Sequence, residues 1–368
     1  MDRATRRGVE AAARLSAGVV VASATVAWGT SWTWVDLHPM SGPVSTFGFG
    51  SSGLGQQVGL GVIGGNSAAM LWNGTSSSWQ SLHPSGASSS KAHRTRAGQQ
   101  VGWASFGASL EAGIWSGTAG SWVSLHPSSV LYSVGRDTDG VTQVGAAITD
   151  PNTLLGRACL WTGTAGSYVD LQPTGASQSM AIALDGGKQY GSATFGGSER
   201  GGFWSGTAAS WTSLHPGGWS DSRVNCAQGG EQVGVVTNSS NNVHAGLWTG
   251  TAGSFVDLNP SGGSDSAATG VFGGIQCGWA NFGNPFTRAG IWTGTASSWV
   301  DLHAVLPSSY LLSYAEDVWT NGTQTVVVGT AYHLPSGQDH AMMWVIPSPG
   351  GMGLAVAAGL LGARRRRR

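Results

Sequence analysis

The chain has 368 residues, 60 of them Gly, 13 Pro and 18 Trp, and only 10% of its side chains are charged, a composition with apolar material for a core that excludes collagen, coiled coil and a disordered acidic tail. Its 18 basic and 18 acidic residues cancel, but nine of the basic ones sit at the two ends: Arg3, Arg6, Arg7, Arg14 and the run Arg364 to Arg368. The remaining body carries nine basic against sixteen acidic side chains, a net of −7, which repels phosphate backbones and argues against nucleic acid as a partner.

The N-terminal segment has the layout of a secretory signal. Four Arg precede the small apolar run Leu15 to Ala27, and Ala22-Ser23-Ala24 offers a small-x-small cleavage site, so residues 1–24 are expected to be a signal peptide.

Residues 31–346 are one unit repeated. The phrase IWSGTAGSWVSLHP around Trp122 recurs with small changes, and its Leu falls at Leu37, Leu82, Leu125, Leu171, Leu214, Leu258 and Leu302, at intervals of 43 to 46. Between copies lie a Ser-x-Ala run and Gln-Val-Gly, the latter beginning at Gln57, Gln100, Gln143, Gln189, Gln232 and Gln276 in close variants, with Val326 to Gly329 in the last unit. Each unit therefore holds four short strand candidates: Ser-x-Ala, Gln-Val-Gly, Ala-Gly-Leu-Trp and Trp-Val-Asp-Leu. Their Gly, Ser, Asn and Pro boundaries are those of strands, and the Gly-rich link between the last two predicts a tight hairpin. Four strands in about 44 residues, seven times, predict an all-β fold, a seven-bladed β-propeller. A linear β-solenoid is the alternative, though its coils usually take fewer residues. The repeat is out of phase with the chain ends. The first outer strand, Trp34 to Leu37, precedes every inner strand, so the N-terminal strand is expected to complete the last blade and close the ring, leaving no free sheet edge.

Trp recurs in the third strand at Trp72, Trp115, Trp161, Trp204, Trp248, Trp292 and Trp344. It is expected to pack between blades, with a carbohydrate platform as the alternative. Cys159, Cys226 and Cys277 are widely spaced, with no CxxC pair, and read as buried small side chains rather than disulfides or zinc ligands.

Units of the form His-Ala-x-x-Trp, a Gly-rich hairpin, x-x-Asp-Leu and Gly-x-Gln-Val-Gly resemble the HAF family of extracellular repeats, best at His244-Ala245-Gly246-Leu247-Trp248 and His340-Ala341-Met342-Met343-Trp344. Elsewhere Ala68, Glu111, Arg157, Arg200 and Arg288 replace the His. The strand order also resembles kelch propellers. These resemblances imply a propeller and export, and no catalytic residue.

Residues with catalytic or metal-binding spacing are few. His38, His83, His126, His215 and His303 share one slot with Gln172 and Asn259. Equivalent positions on separate blades lie too far apart for a metal, so the slot is expected to hydrogen-bond a turn. Asp36, Asp170, Asp257 and Asp301 alternate with Ser81, Ser124 and Ser213, pointing to backbone N–H acceptors. Asp137-Thr138-Asp139-Gly140 starts like a calcium loop but lacks the remaining ligands. No metal, cofactor or catalytic residue is expected. One constellation suggests binding. The loop from second to third strand varies most, and Phe106, Phe195 and Phe282 there, with Arg157, Arg200 and Arg288 nearby, could stack on and pair with an acidic sugar.

The C-terminal segment, residues 347–368, joins Pro347-Ser348-Pro349, an apolar stretch from Gly350 to Ala363, and five Arg. The stretch is short for a membrane span. It resembles the bacterial PEP-CTERM sorting signals, without their usual Glu, which implies transient membrane contact through residues 350–363 and a sorting machinery as partner. The expected function is an exported, non-enzymatic surface or matrix scaffold that binds extracellular polysaccharide or surface proteins. The alternative is a propeller enzyme, glycosidase or lyase, acting on extracellular polysaccharide.

Overall fold

The computed structural model describes residues 32–347 apart from 54, 284–285 and 322. The expected signal peptide and the body of the sorting tail lie outside the described residues.

The protein is an all-β propeller. Its strands pair antiparallel in groups of four, with a single parallel bridge between Tyr132 and Leu110 joining two groups. In the second unit the strands are Ser89–Arg96, Gln99–Phe106, Ser109–Trp115 and Val123–Ser124. The inner strands of all groups, Thr46–Ser51, Ser89–Arg96, Tyr132–Thr138, Gln178–Asp185, Asp221–Gln228, Asp265–Phe272 and Tyr310–Thr320, touch in succession, and the last touches the first. The arrangement is a closed ring, not a linear solenoid. Closure comes from the N-terminal strand as expected: Thr33–Asp36 pairs antiparallel with Gln338–Pro347, placing Trp34 opposite Trp344.

The outermost strand is shorter than its four-residue phrase. Only two residues pair in six units, because the aromatic that opens the phrase follows a turn of 3-10 helix in the preceding link, as at Ala119–Ser121, and folds back over the third strand. Trp122 lies 4.5 Å from Trp115, ring to ring, and a Cβ on Gly113 would overlap its indole. The seven third-strand Trp are fully buried, so they are packing elements and offer no sugar platform. All three Cys are buried and free.

Each recurring polar residue has a definite task. Gln100 Oε1 accepts from Gly117 N at 2.7 Å and its Nε2 donates to the Gly98 carbonyl, tying two connections together; the other five Gln receive the same hairpin N–H. In the last unit the outer strand comes from Thr33–Asp36, and Val327 pairs with Trp344 where a Gln pairs with Trp elsewhere. The Asp or Ser of the outer strand accepts the backbone N–H two residues on in every unit, as Ser124 does from His126. The His, Gln or Asn at that next position bonds the Ser or Thr opening the neighbouring inner strand, as in His126 Nδ1 to Ser133 Oγ at 2.8 Å. That hydroxyl oxygen in turn accepts from the first unit of the pair, Ala112 N donating at 2.9 Å. The slot is thus a blade-to-blade staple, repeated at the closing seam by His38, Thr46 and Ala341 N.

Candidate functional site

Every inner strand contains a β-bulge, where its register against the second strand slips by one residue. The Gly of Gln-Val-Gly accommodates it: a Cβ on Gly102 would overlap the Lys91 carbonyl, and its six counterparts meet the same obstacle. A bulge leaves one residue unpaired and re-aims its side chain. Here the unpaired residues are Phe49, His93, Arg136, Ile182, Asn225, Thr269 and Glu316. All seven are partly exposed, and all seven line one cavity of about 640 Å³ on the ring axis. The cavity reaches Glu199, Thr237 and Val243, so it opens on the face of the second-to-third-strand loops.

The far end of the axis is filled by charge pairs. Arg94 Nη1 lies 2.7 Å from Asp317 and its Nε 3.9 Å from Asp137, whose carboxylate is also 3.6 Å from Arg96. Arg96 crosses from the second unit to Gln228 of the fifth at 2.6 Å. Asp137 accepts from Leu184 N and Asp317 from Ser51 N, each reaching the following unit. Asp137 is therefore structural rather than the start of a calcium loop, and Asp139 closes the hairpin by accepting from Val141 and Thr142 N. Among the described residues no group of three His, Cys, Asp or Glu is placed to hold a metal ion.

Above this floor the cup carries Lys91, Arg136 and Arg223 against Glu316 and Glu199. Lys91 Nζ sits 3.8 Å over the Phe49 ring; burial, with Arg136 nearby, pushes its amine down to about 8. Burial pushes the Glu316 carboxyl up to about 7, although Lys91 and Arg94 pull the other way. His93 is held neutral by burial and by the adjacent Arg136. Its Nδ1 faces the Gly135 carbonyl at 2.7 Å and must carry the proton, leaving Nε2 to accept from Arg136 Nη1 at 3.4 Å. Arg223 lies 3.7 Å from Glu199 and donates to Asn225 at 3.2 Å. A second hollow of about 470 Å³, sharing Glu199, Arg223 and Thr237, runs from the cup over the fourth unit past Gln178, Ser192 and Thr194.

The residues singled out from sequence lie at the outer ends of separate units. Arg157 and Arg288 each pair with the outer-strand carboxylate, Asp170 and Asp301, at 2.6 Å; Arg200 is exposed. Phe106, Phe195 and Phe282 lean on their own outer-strand aromatics, Trp122, Trp211 and Trp299, at 6.2–6.4 Å between ring centres. No aromatic or cation–π contact joins the two sets among the described residues. The cup is not among the candidates that the sequence singles out. Its signal is the third residue after the Ser or Thr that opens each inner strand, the one place where the repeat reads Phe, His, Arg, Ile, Asn, Thr and Glu in turn.

No protein-family model matches the chain, and no curated protein matches it either. Solved structures do. A puromycin hydrolase superposes with a TM-score of 0.54 at 14% identity, covering 83% of this chain and 54% of that one. YCF48, solved bound to D1 peptide, gives 0.50 at 11% identity, covering 86% and 95%. The chain spans about half the length of the hydrolases it matches. At these identities the likeness shows the β-propeller fold alone.

Proposed function

We propose that the protein is an exported, non-enzymatic binding scaffold of the cell surface or extracellular matrix, seven-bladed, with its ligand site in the axial cup. The observation that carries this reading is the contrast between repeat and axis. The positions that hold the blades recur from unit to unit, while the bulged residue that each unit turns to the axis differs every time. Packing needs no such variety; a cup of graded charge, aromatic and amide groups is how pockets fix a ligand's orientation. Residues 1–24 would direct export and residues 347–368 surface sorting. Filling the cup with Ile182→Trp, at a position with no side-chain hydrogen bond in the described set, is the test. Binding of the natural extracellular polysaccharide or surface protein is lost with the melting temperature kept; unchanged binding refutes the cup.

One observation favours a second reading, an enzyme acting on polysaccharide. Glu316, half-protonated near neutrality, shares the cup with Glu199, and two carboxyl groups in unlike environments can divide acid and base roles. Release of reducing ends or unsaturated products by the wild type, abolished in Glu316→Gln, would establish it.

A further inference from the structure

Arg136 is a side chain in the cup whose requirements the described residues leave unmet. Its Nε is buried without a hydrogen-bond partner. No carboxylate lies within ion-pair distance of it among the described residues, in contrast to Arg94, Arg96, Arg157, Arg223 and Arg288. Burial and the neighbouring Arg223 both oppose its charge, yet a guanidinium does not give up its proton in a protein. Among the described residues its side-chain hydrogen bond is to His93, which is neutral and aims it. A largely buried cation without a counter-charge is costly, and Arg136, partly exposed, stands at the wall of an open cavity of about 640 Å³, within the roughly 300–1,000 Å³ of small-molecule sites.

The geometry points to an oxyanion, a carboxylate or phosphate group borne by a small polar ligand, as the occupant that completes Arg136. The inference rests on the cup being the binding site. The guanidinium fork matches two oxygens of such a group, and Lys91 and Arg223 add positive charge around it. Glu199 opposes Arg223 at 3.7 Å and Glu316 opposes Lys91, so the excess positive charge centres on Arg136. The rest of the ligand has a route outward along the hollow over the fourth unit, where Gln178, Ser192 and Thr194 supply hydrogen-bonding groups.

The test is calorimetric titration of the full chain at low salt with three probes: trigalacturonate, inorganic phosphate and neutral cellotriose. The expected result is binding of trigalacturonate or phosphate, with whichever binds identifying the source of the oxyanion, and at least tenfold weaker binding in Arg136→Gln. Arg136→Lys keeps the charge without the fork and should fall between; it also serves if Arg136→Gln does not fold, which melting curves will reveal. Binding equal to wild type in a folded Arg136 variant, or no binding of either oxyanion by the wild type, overturns the inference. If cellotriose binds, is lost in Ile182→Trp and is untouched by Arg136→Gln, the cup stands and the oxyanion falls. If an oxyanion binds undiminished in Ile182→Trp, both fall.

Discussion

Arg94 of the second unit reaches over the first unit to Asp317 of the seventh, 2.7 Å away. Gly50 makes the crossing possible, because a Cβ there would stand 3.3 Å from the Arg94 side chain and 2.9 Å from the His93 carbonyl. The pair links blades that are not neighbours and forms the floor beneath the cup.

Arg94→Met therefore leaves the Asp317 and Asp137 carboxylates buried without their shared cation. Breaking one side of a buried pair typically costs about 3–5 kcal/mol, and urea unfolding should show a loss of that size. Arg94→Lys should lose less, since the charge stays near Asp317.

The bulges depend on their glycines. Gly102→Ala should destabilise by about 3 kcal/mol or more, as a forced backbone shift does, because the new methyl would overlap the Lys91 carbonyl. Gly120→Ala in the outer link meets nothing within 4 Å and should stay within about 0.5 kcal/mol. Thermal unfolding of the two variants side by side checks the contrast.

The blade-to-blade staple accepts His, Gln or Asn. His126→Gln should be nearly neutral, since Gln172 already fills the slot and bonds Ser179. His126→Leu leaves the Ser133 hydroxyl with Ala112 N alone and should cost about 1–3 kcal/mol. A double-mutant cycle with Ser133→Ala should give a coupling near 1 kcal/mol; a zero coupling would show that the two residues act independently.

Glu316 makes stability fall with rising pH. Its folded value of about 7 lies above the ordinary 4.5, so the folded state holds this proton more tightly than the unfolded one. The stabilisation is complete below pH 4.5 and is lost as pH rises through 7, at about 1.4 kcal/mol for each unit of difference. The unfolding free energy of the wild type minus that of Glu316→Gln should decline between pH 5 and 7, the opposite slope from His93, whose folded value lies below 6.5, being common to both. A parallel slope in the variant would assign the pH dependence elsewhere.

Much of this architecture is legible in the residues themselves. Gln100, Trp115, Ser124, His126 and their counterparts sit in environments repeated around the ring, so each physical demand is written into the chain several times, and strand count, closure by the N-terminal strand and the hydrogen-bonding character of the His, Gln or Asn slot follow from position alone, though its reach to the next blade does not. The charged rim residues were equally visible, but only the fold shows that Arg157 and Arg288 are engaged by Asp170 and Asp301 and that the three Phe rest on their own blades. The cup is the opposite case. His93, Arg136 and Glu316 occupy one repeat position in seven units and share no chemistry, so along the chain they look like drift. The bulge turns each of them to the axis, and ring closure brings residues 49 to 316 into one cavity. That meeting depends on a one-residue slip in strand register, which a Gly in each unit permits without announcing where the unpaired side chain points, and on the curvature of the whole ring, which no single unit's sequence contains.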